Sequence, residues 1–210
     1  MKKGEKEKGS FAVIGLRKVD LILRNIPGSP MVVHAFTEKA KQEIRDKQQK
    51  KAKKTKEERK PQEEAEAAKY FDRLGRECAP IAAIKKSIIS AVSAFDDITK
   101  VGLRQALFVN APDLPGALAP IETHDGRNAV GVMREDAVTI GINTRGLVYR
   151  PEYSEWQIRI NIEYNPRIVS EEQLLALVDQ AGWGVGICEG RPEKSSALGW
   201  GRFVRYSENN

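Results

Sequence analysis

The chain has 210 residues, of which 40% are hydrophobic and 30% charged, with a formal net charge of +6. That is enough apolar material for one substantial core, which excludes a wholly disordered chain, and no stretch approaches the roughly 20 apolar residues that span a bilayer. Two distant cysteines, Cys78 and Cys188, and two histidines, His34 and His124, exclude a disulfide framework and supply no ligand set at zinc-site spacing. The chain therefore reads as reduced and cytoplasmic, with no metal and no cofactor.

Residues 1–10 are charged and read as a flexible N-terminus, and residues 11–210 as a single domain. The apolar run Phe11–Leu16 is broken by Gly15 and is too short for a signal core. Val19, Leu21 and Leu23 alternate with Asp20 and Arg24, which predicts a strand reaching Ile26. A turn follows at Pro27-Gly28-Ser29-Pro30, then a short buried strand over Met31–Phe36, in which His34 reads as a packed residue rather than a base.

Thr37 is placed to cap a helix from Glu38, but residues 45–66 hold almost nothing beyond charge, Gln and Ala. This segment reads as a solvated or disordered insertion. Between Glu38 and Lys60 there are eleven Lys/Arg against five Asp/Glu, an excess equal to the net charge of the whole chain, so the insertion is either a solvated face or a nucleic-acid contact arm. Pro80 sits at the start of an amphipathic helix with Ile81, Ile84, Ile88, Val92 and Phe95 on one side and Lys85 and Lys86 on the other.

A strand is expected over Gln105–Val109, a brief one at Ile121 and another around Val138–Ile142, with a turn at Tyr149–Tyr153. The clearest strand runs from Trp156 to Tyr164, with Trp156, Ile158, Ile160, Ile162 and Tyr164 on one face and Gln157, Arg159, Asn161 and Glu163 on the other. Ser170-Glu171-Glu172-Gln173 is a capping box, and Gly182 is placed to end the helix that it opens.

Six glycines then fall between residues 182 and 201, accompanied by Arg191, Lys194, Arg202 and Arg205. Such density serves turns or the close approach of a backbone to something else, and a phosphate chain is one candidate. Neither the Walker spacing nor the dinucleotide fingerprint is present. Trp183 reads as core, and Trp200, flanked by glycines, as a surface residue.

The strong signals fall in the order strand, helix, strand, strand, helix, strand. This predicts an α+β, ferredoxin-like (RRM-like) antiparallel sheet with helices on one face, plus the charged insertion and a glycine-rich C-terminal loop. Three stretches resemble the RAMP superfamily, the RNA-binding proteins of CRISPR effectors, and in particular its backbone subunits. They are the opening strand followed by Pro27–His34, the helix start Ala79–Ile88, and the helix ending in Gly182 with the glycine-rich loop to Gly201. The chain is also similar to uncharacterised bacteriophage and prophage proteins around His34–Lys41 and Trp156.

The resemblance implies a non-catalytic binder of single-stranded nucleic acid, RNA favoured over DNA, with several copies lined up along a strand. The groove would combine Lys85 and Lys86, the exposed side of the 156–164 strand with Arg159, and the loop, with Arg150, Gly184, Gly186, Arg191, Lys194, Gly199, Trp200 and Arg202 in contact. Two alternatives stay open. One is a protein-interaction module docking onto a host defence or replication complex. The other is a RAMP-like endoribonuclease using the loop dipeptide His124-Asp125, where His124 has no partner evident in sequence.

Overall fold

The computed structural model describes residues 15–36, 38–49, 58–112, 117–140, 144–195 and 197–207. The expected flexible N-terminus and the middle of the charged insertion lie outside the described residues.

A four-stranded antiparallel sheet carries the fold. Its strands are β1 (Arg17–Asn25), β5 (Leu107–Asn110), β9 (Gln157–Tyr164) and β10 (Phe203–Tyr206), in the spatial order β10-β1-β9-β5. In chain order this is fourth, first, third, second. Helix α3 (Ile81–Ala91) lies in the connection between the first and second of these strands, and α5 (Glu171–Gln180) in that between the third and fourth.

The register pairs Val19 with Ile162, Leu21 with Ile160 and Leu23 with Ile158, so like faces stack across the strands. Ile158, Ile160, Ile162 and Tyr164 have no exposed surface and meet Ile84 and Ile88 of α3 and Leu174, Leu177 and Val178 of α5 in one core. Each fully buried aliphatic side chain of this kind contributes about 2 kcal/mol. Trp156 closes one end, edge-on to Phe203 with ring centroids 6.4 Å apart.

Both helix starts follow local chemistry. Pro80, the last residue of β4 (Glu77–Pro80), precedes α3 with no side-chain cap. The capping box of α5 is formed: Gln173 N donates to Ser170 Oγ at 3.2 Å and Ser170 N to Gln173 Oε1 at 2.9 Å. The stripe of α3 ends earlier than its spacing predicts, because a 3₁₀ turn over Val92–Ala94 rotates Phe95 outward to 38% exposure.

Two smaller sheets flank the main one. β2 (Met31–Val32) pairs with β8 (Thr144–Tyr153), which forms a long hairpin with β7 (Val132–Ile140). β3 (Tyr70–Phe71), β4 and β6 (Leu118–Pro120) form the other. The turn expected at Tyr149–Tyr153 is instead the end of β8; Pro151 sits there without breaking the strand, and its carbonyl accepts from Val33 N.

The charged insertion is also shorter than its composition implies. Helix α1 (Glu38–Gln48) is solvated, but α2 (Pro61–Ala67) docks on the hairpin, with Ala65 buried, and Arg59 Nη1 donates to the Leu147 carbonyl at 2.8 Å. Small side chains at Ala65 and Ala68 suffice for that close approach. Among the described residues no helix is long and apolar enough to cross a membrane.

Candidate nucleic-acid interface

The three stretches that carry the family resemblance meet at one cavity of about 190 Å³. Val33 and His34 line it from the exit of β2, Pro80, Ala83, Lys86 and Ser87 from the first turns of α3, and Cys188, Glu189, Arg191 and Glu193 from the glycine-rich segment, with Tyr70 at its side. The uncapped N-terminus of α3 adds the positive end of a helix dipole.

The ionisable groups here are unequal. Glu189 accepts from Arg150 Nη1 at 3.4 Å, and Glu193 from Arg191 Nε at 3.2 Å. The Arg191 and Ser90 side chains hold the Glu193 carboxyl below the usual carboxylate range, against the opposing effect of burial. Lys86 is exposed. His34 is exposed as well, contrary to its reading as a packed residue, because the chain leaves β2 at Val32 and only Val33 and Ala35 turn inward. Desolvation pushes its imidazole below the ordinary histidine range, with Arg150 adding and Glu189 opposing.

Cys188 adopts φ 61°, the one non-glycine residue at positive φ among those described, and its carbonyl accepts from Arg191 Nη1 at 2.8 Å. Burial pushes its thiol up to about 12, so at neutral pH it is no thiolate nucleophile. Anion binding, rather than covalent chemistry, is what this arrangement can do.

The glycine-rich segment itself is mostly packed within its own chain. The helix does not end at Gly182; it runs into a wide π turn over Ala181–Val185 and reverses at Gly186, φ 72°. A Cβ on Gly182 would overlap the Phe203 carbonyl, one on Gly190 the Trp200 ring, and one on Gly201, φ 66°, the Ile187 carbonyl. Gly186 is closed in by Pro192, Arg191 and the Trp200 carbonyl. Gly184 and Gly199 remain open, approached only by flexible side-chain ends, those of Gln180 and Arg202.

Several expected contact residues are therefore relocated. Trp200 is buried at 7% exposure under Arg134, and Arg150, at 6%, is tied to Asp136 and Glu189. Trp183, expected in the core, is 65% exposed, with Arg202 4.1 Å over its ring. Lys85 lies 4.6 Å over the Phe108 ring, and Lys194 is exposed but does not line the cavity.

Arg159 points to the bare side of the sheet and meets Glu122 Oε2 at 3.2 Å. The composite groove cannot form, since the helices cover one face of the sheet while the alternate residues of β9 face the other. His124 does have partners. Its Nε2 donates to Asn25 Oδ1 at 2.7 Å, and its backbone N to Glu155 Oε1 at 2.8 Å, so the ring clamps its turn against β1. Among the described residues no cluster of three or more His, Cys, Asp or Glu could hold a metal ion.

Sequence reasoning did not single out Tyr70 or Cys188 as contact residues. Tyr70 lies outside any charged or glycine pattern, Cys188 carries no charge within the glycine-rich segment, and only the topology brings them together at the cavity.

No family model matches the chain, and no curated protein does. Among solved structures it is similar to Cmr6 from Pyrococcus furiosus, at 10% identity and a TM-score of 0.40 over 92% of this chain and 100% of that one. It is also similar to Cas6 in a product complex, at 15% identity and a TM-score of 0.30 over 90% of this chain and 51% of that one. Scores this low assign neither fold nor function.

Proposed function

We propose that this protein is a non-catalytic binder of single-stranded nucleic acid with a ferredoxin-like, RAMP-like core, and that several copies line up along one strand. The strand order fourth-first-third-second, with a helix in each crossover, supports the fold reading. The observation that carries the function is the meeting of Lys86, Arg191 and His34 at one cavity on the start of α3, where the positive end of the helix dipole joins them. Glu189 and Glu193 line it too, but each is bonded to an arginine, Arg150 and Arg191, while among the described residues Lys86 meets no carboxylate. The sequence resemblance favours RNA over DNA. The nuclease alternative loses ground because the Nε2 nitrogen of His124 is already committed to Asn25.

The test is titration of labelled single-stranded RNA and DNA at two salt concentrations. With Arg191 compensated by Glu193, Lys86 releasing one counterion from a single strand accounts for a loss of about 2.6-fold in affinity between roughly 50 and 200 mM salt. In Lys86→Gln the slope of log affinity against log salt falls by about 0.7. Binding without salt dependence, or a Lys86→Gln slope equal to wild type, overturns the proposal.

A further inference from the structure

Strand β10 forms one outer edge of the main sheet and carries two arginine–aromatic stacks that the cavity does not use. At its entrance the Arg202 guanidinium covers the Trp183 ring, and Arg202 Nε donates to the Trp183 carbonyl at 3.2 Å. Four residues further on, Arg24 of β1 lies 3.3 Å over the Tyr206 ring. Phe203 is buried in the core and Arg205 bonds Asp179 of α5, so Val204 and Tyr206 face away from the helices. At strand rise the backbone positions of Arg202 and Tyr206, one member of each stack, lie about 13 Å apart.

Charge decides what would bind here. Arg24 donates to Gln157 Oε1 and the His124 carbonyl, and Arg202 to a main-chain carbonyl; among the described residues neither guanidinium meets a carboxylate. An apolar protein surface seated on this strip would desolvate two uncompensated charges. A single strand satisfies both features together, its bases stacking on rings and guanidinium planes and its phosphates meeting the charges.

We infer that Trp183, Arg202, Val204, Arg24 and Tyr206 form a base-stacking platform for single-stranded nucleic acid, with Trp183 taking a base. This rests on the nucleic-acid reading above and adds a second contact to that of the cavity, which draws on the same glycine-rich segment.

The probes are an oligoadenylate and an abasic strand of equal length, with tryptophan fluorescence and affinity read together. Wild-type fluorescence is quenched by oligoadenylate and not by the abasic strand. Trp183→Ala weakens oligoadenylate binding about tenfold or more, while abasic affinity and the salt slope stay unchanged; Trp183→Phe restores most of the loss.

Equal loss for both strands, no loss for oligoadenylate, or an effect on self-association alone overturns the platform. If wild type binds neither strand, the nucleic-acid reading falls with it. If both strands bind, Lys86→Gln lowers the slope and Trp183→Ala alters the affinity for neither strand, the platform alone falls. Thermal melting of Trp183→Ala checks the fold, and if that variant melts early Trp183→Phe carries the comparison: oligoadenylate affinity mostly retained with the quenching lost supports stacking on Trp183, and quenching that persists, or losses of equal size for the two strands, overturns it.

Discussion

Two tryptophans of the glycine-rich segment carry an arginine over the ring at nearly the same height, 4.2 Å for Arg134 on Trp200 and 4.1 Å for Arg202 on Trp183. Their surroundings differ in every other respect. Trp200 is closed in against Gly190, and Arg134 is neutralised by Asp136 and Glu152. Trp183 stands in water, and Arg202 has only a main-chain carbonyl. One contact geometry thus serves two ends: with the ring enclosed and the charge compensated it belongs to the fold, and with both left open it contributes little to stability and stays available to a ligand.

The sharpest way to break the comparison is through the backbone beneath Trp200. Gly201→Ala must adopt positive φ and overlap the Ile187 carbonyl, where no flexible side chain can give way. A loss of about 4 kcal/mol or more in urea denaturation, or outright failure to fold, is expected. Trp200→Ala comes next, at about 3 kcal/mol from the lost burial and the cavity it leaves. Trp183→Ala should change stability by less than about 0.5 kcal/mol. If the two tryptophan variants melt alike, the division between structural and available stacks is wrong.

The sequence could not assign these two residues, and the reason is physical. Both are flanked by glycines, so local composition is the same; what differs is what lies opposite, Gly190 and a carboxylate-paired Arg134 in one case, Arg202 and water in the other. Features held within a few residues were legible: the Ser170–Gln173 box, the alternation from Trp156 to Tyr164 and the start of α3 at Pro80. Arg150 was misread as a contact residue because its partners, Asp136 and Glu189, lie 14 and 39 residues away. Lys86 and Arg191 were found one by one from their charge, but their meeting with His34 required the topology. The end of β8 was missed because Pro151 between the charged Arg150 and Glu152 reads as a turn, whereas Arg150, Pro151 and Tyr153 are buried there by partners distant in sequence.

His34 carries the contrast between compensated and open charge into the cavity, with the smallest expected effect. Its imidazole is held below the usual range mainly by desolvation, so the unfolded chain takes up the proton first as pH falls through about 6.5. Stability from this residue is therefore complete above that pH, declines below it and levels off once the folded pKa is passed. Because the ring is exposed on one side, solvent screening keeps the change below about 0.5 kcal/mol. Binding should move the opposite way. A phosphate in the cavity favours the protonated ring, so affinity for a single strand rises on acidification while stability falls. Urea denaturation and strand titration at about pH 7.5 and 5.5, for wild type and His34→Gln, separate the two: the variant should flatten both trends, and an affinity that still rises as steeply in His34→Gln would place the strand away from this cavity.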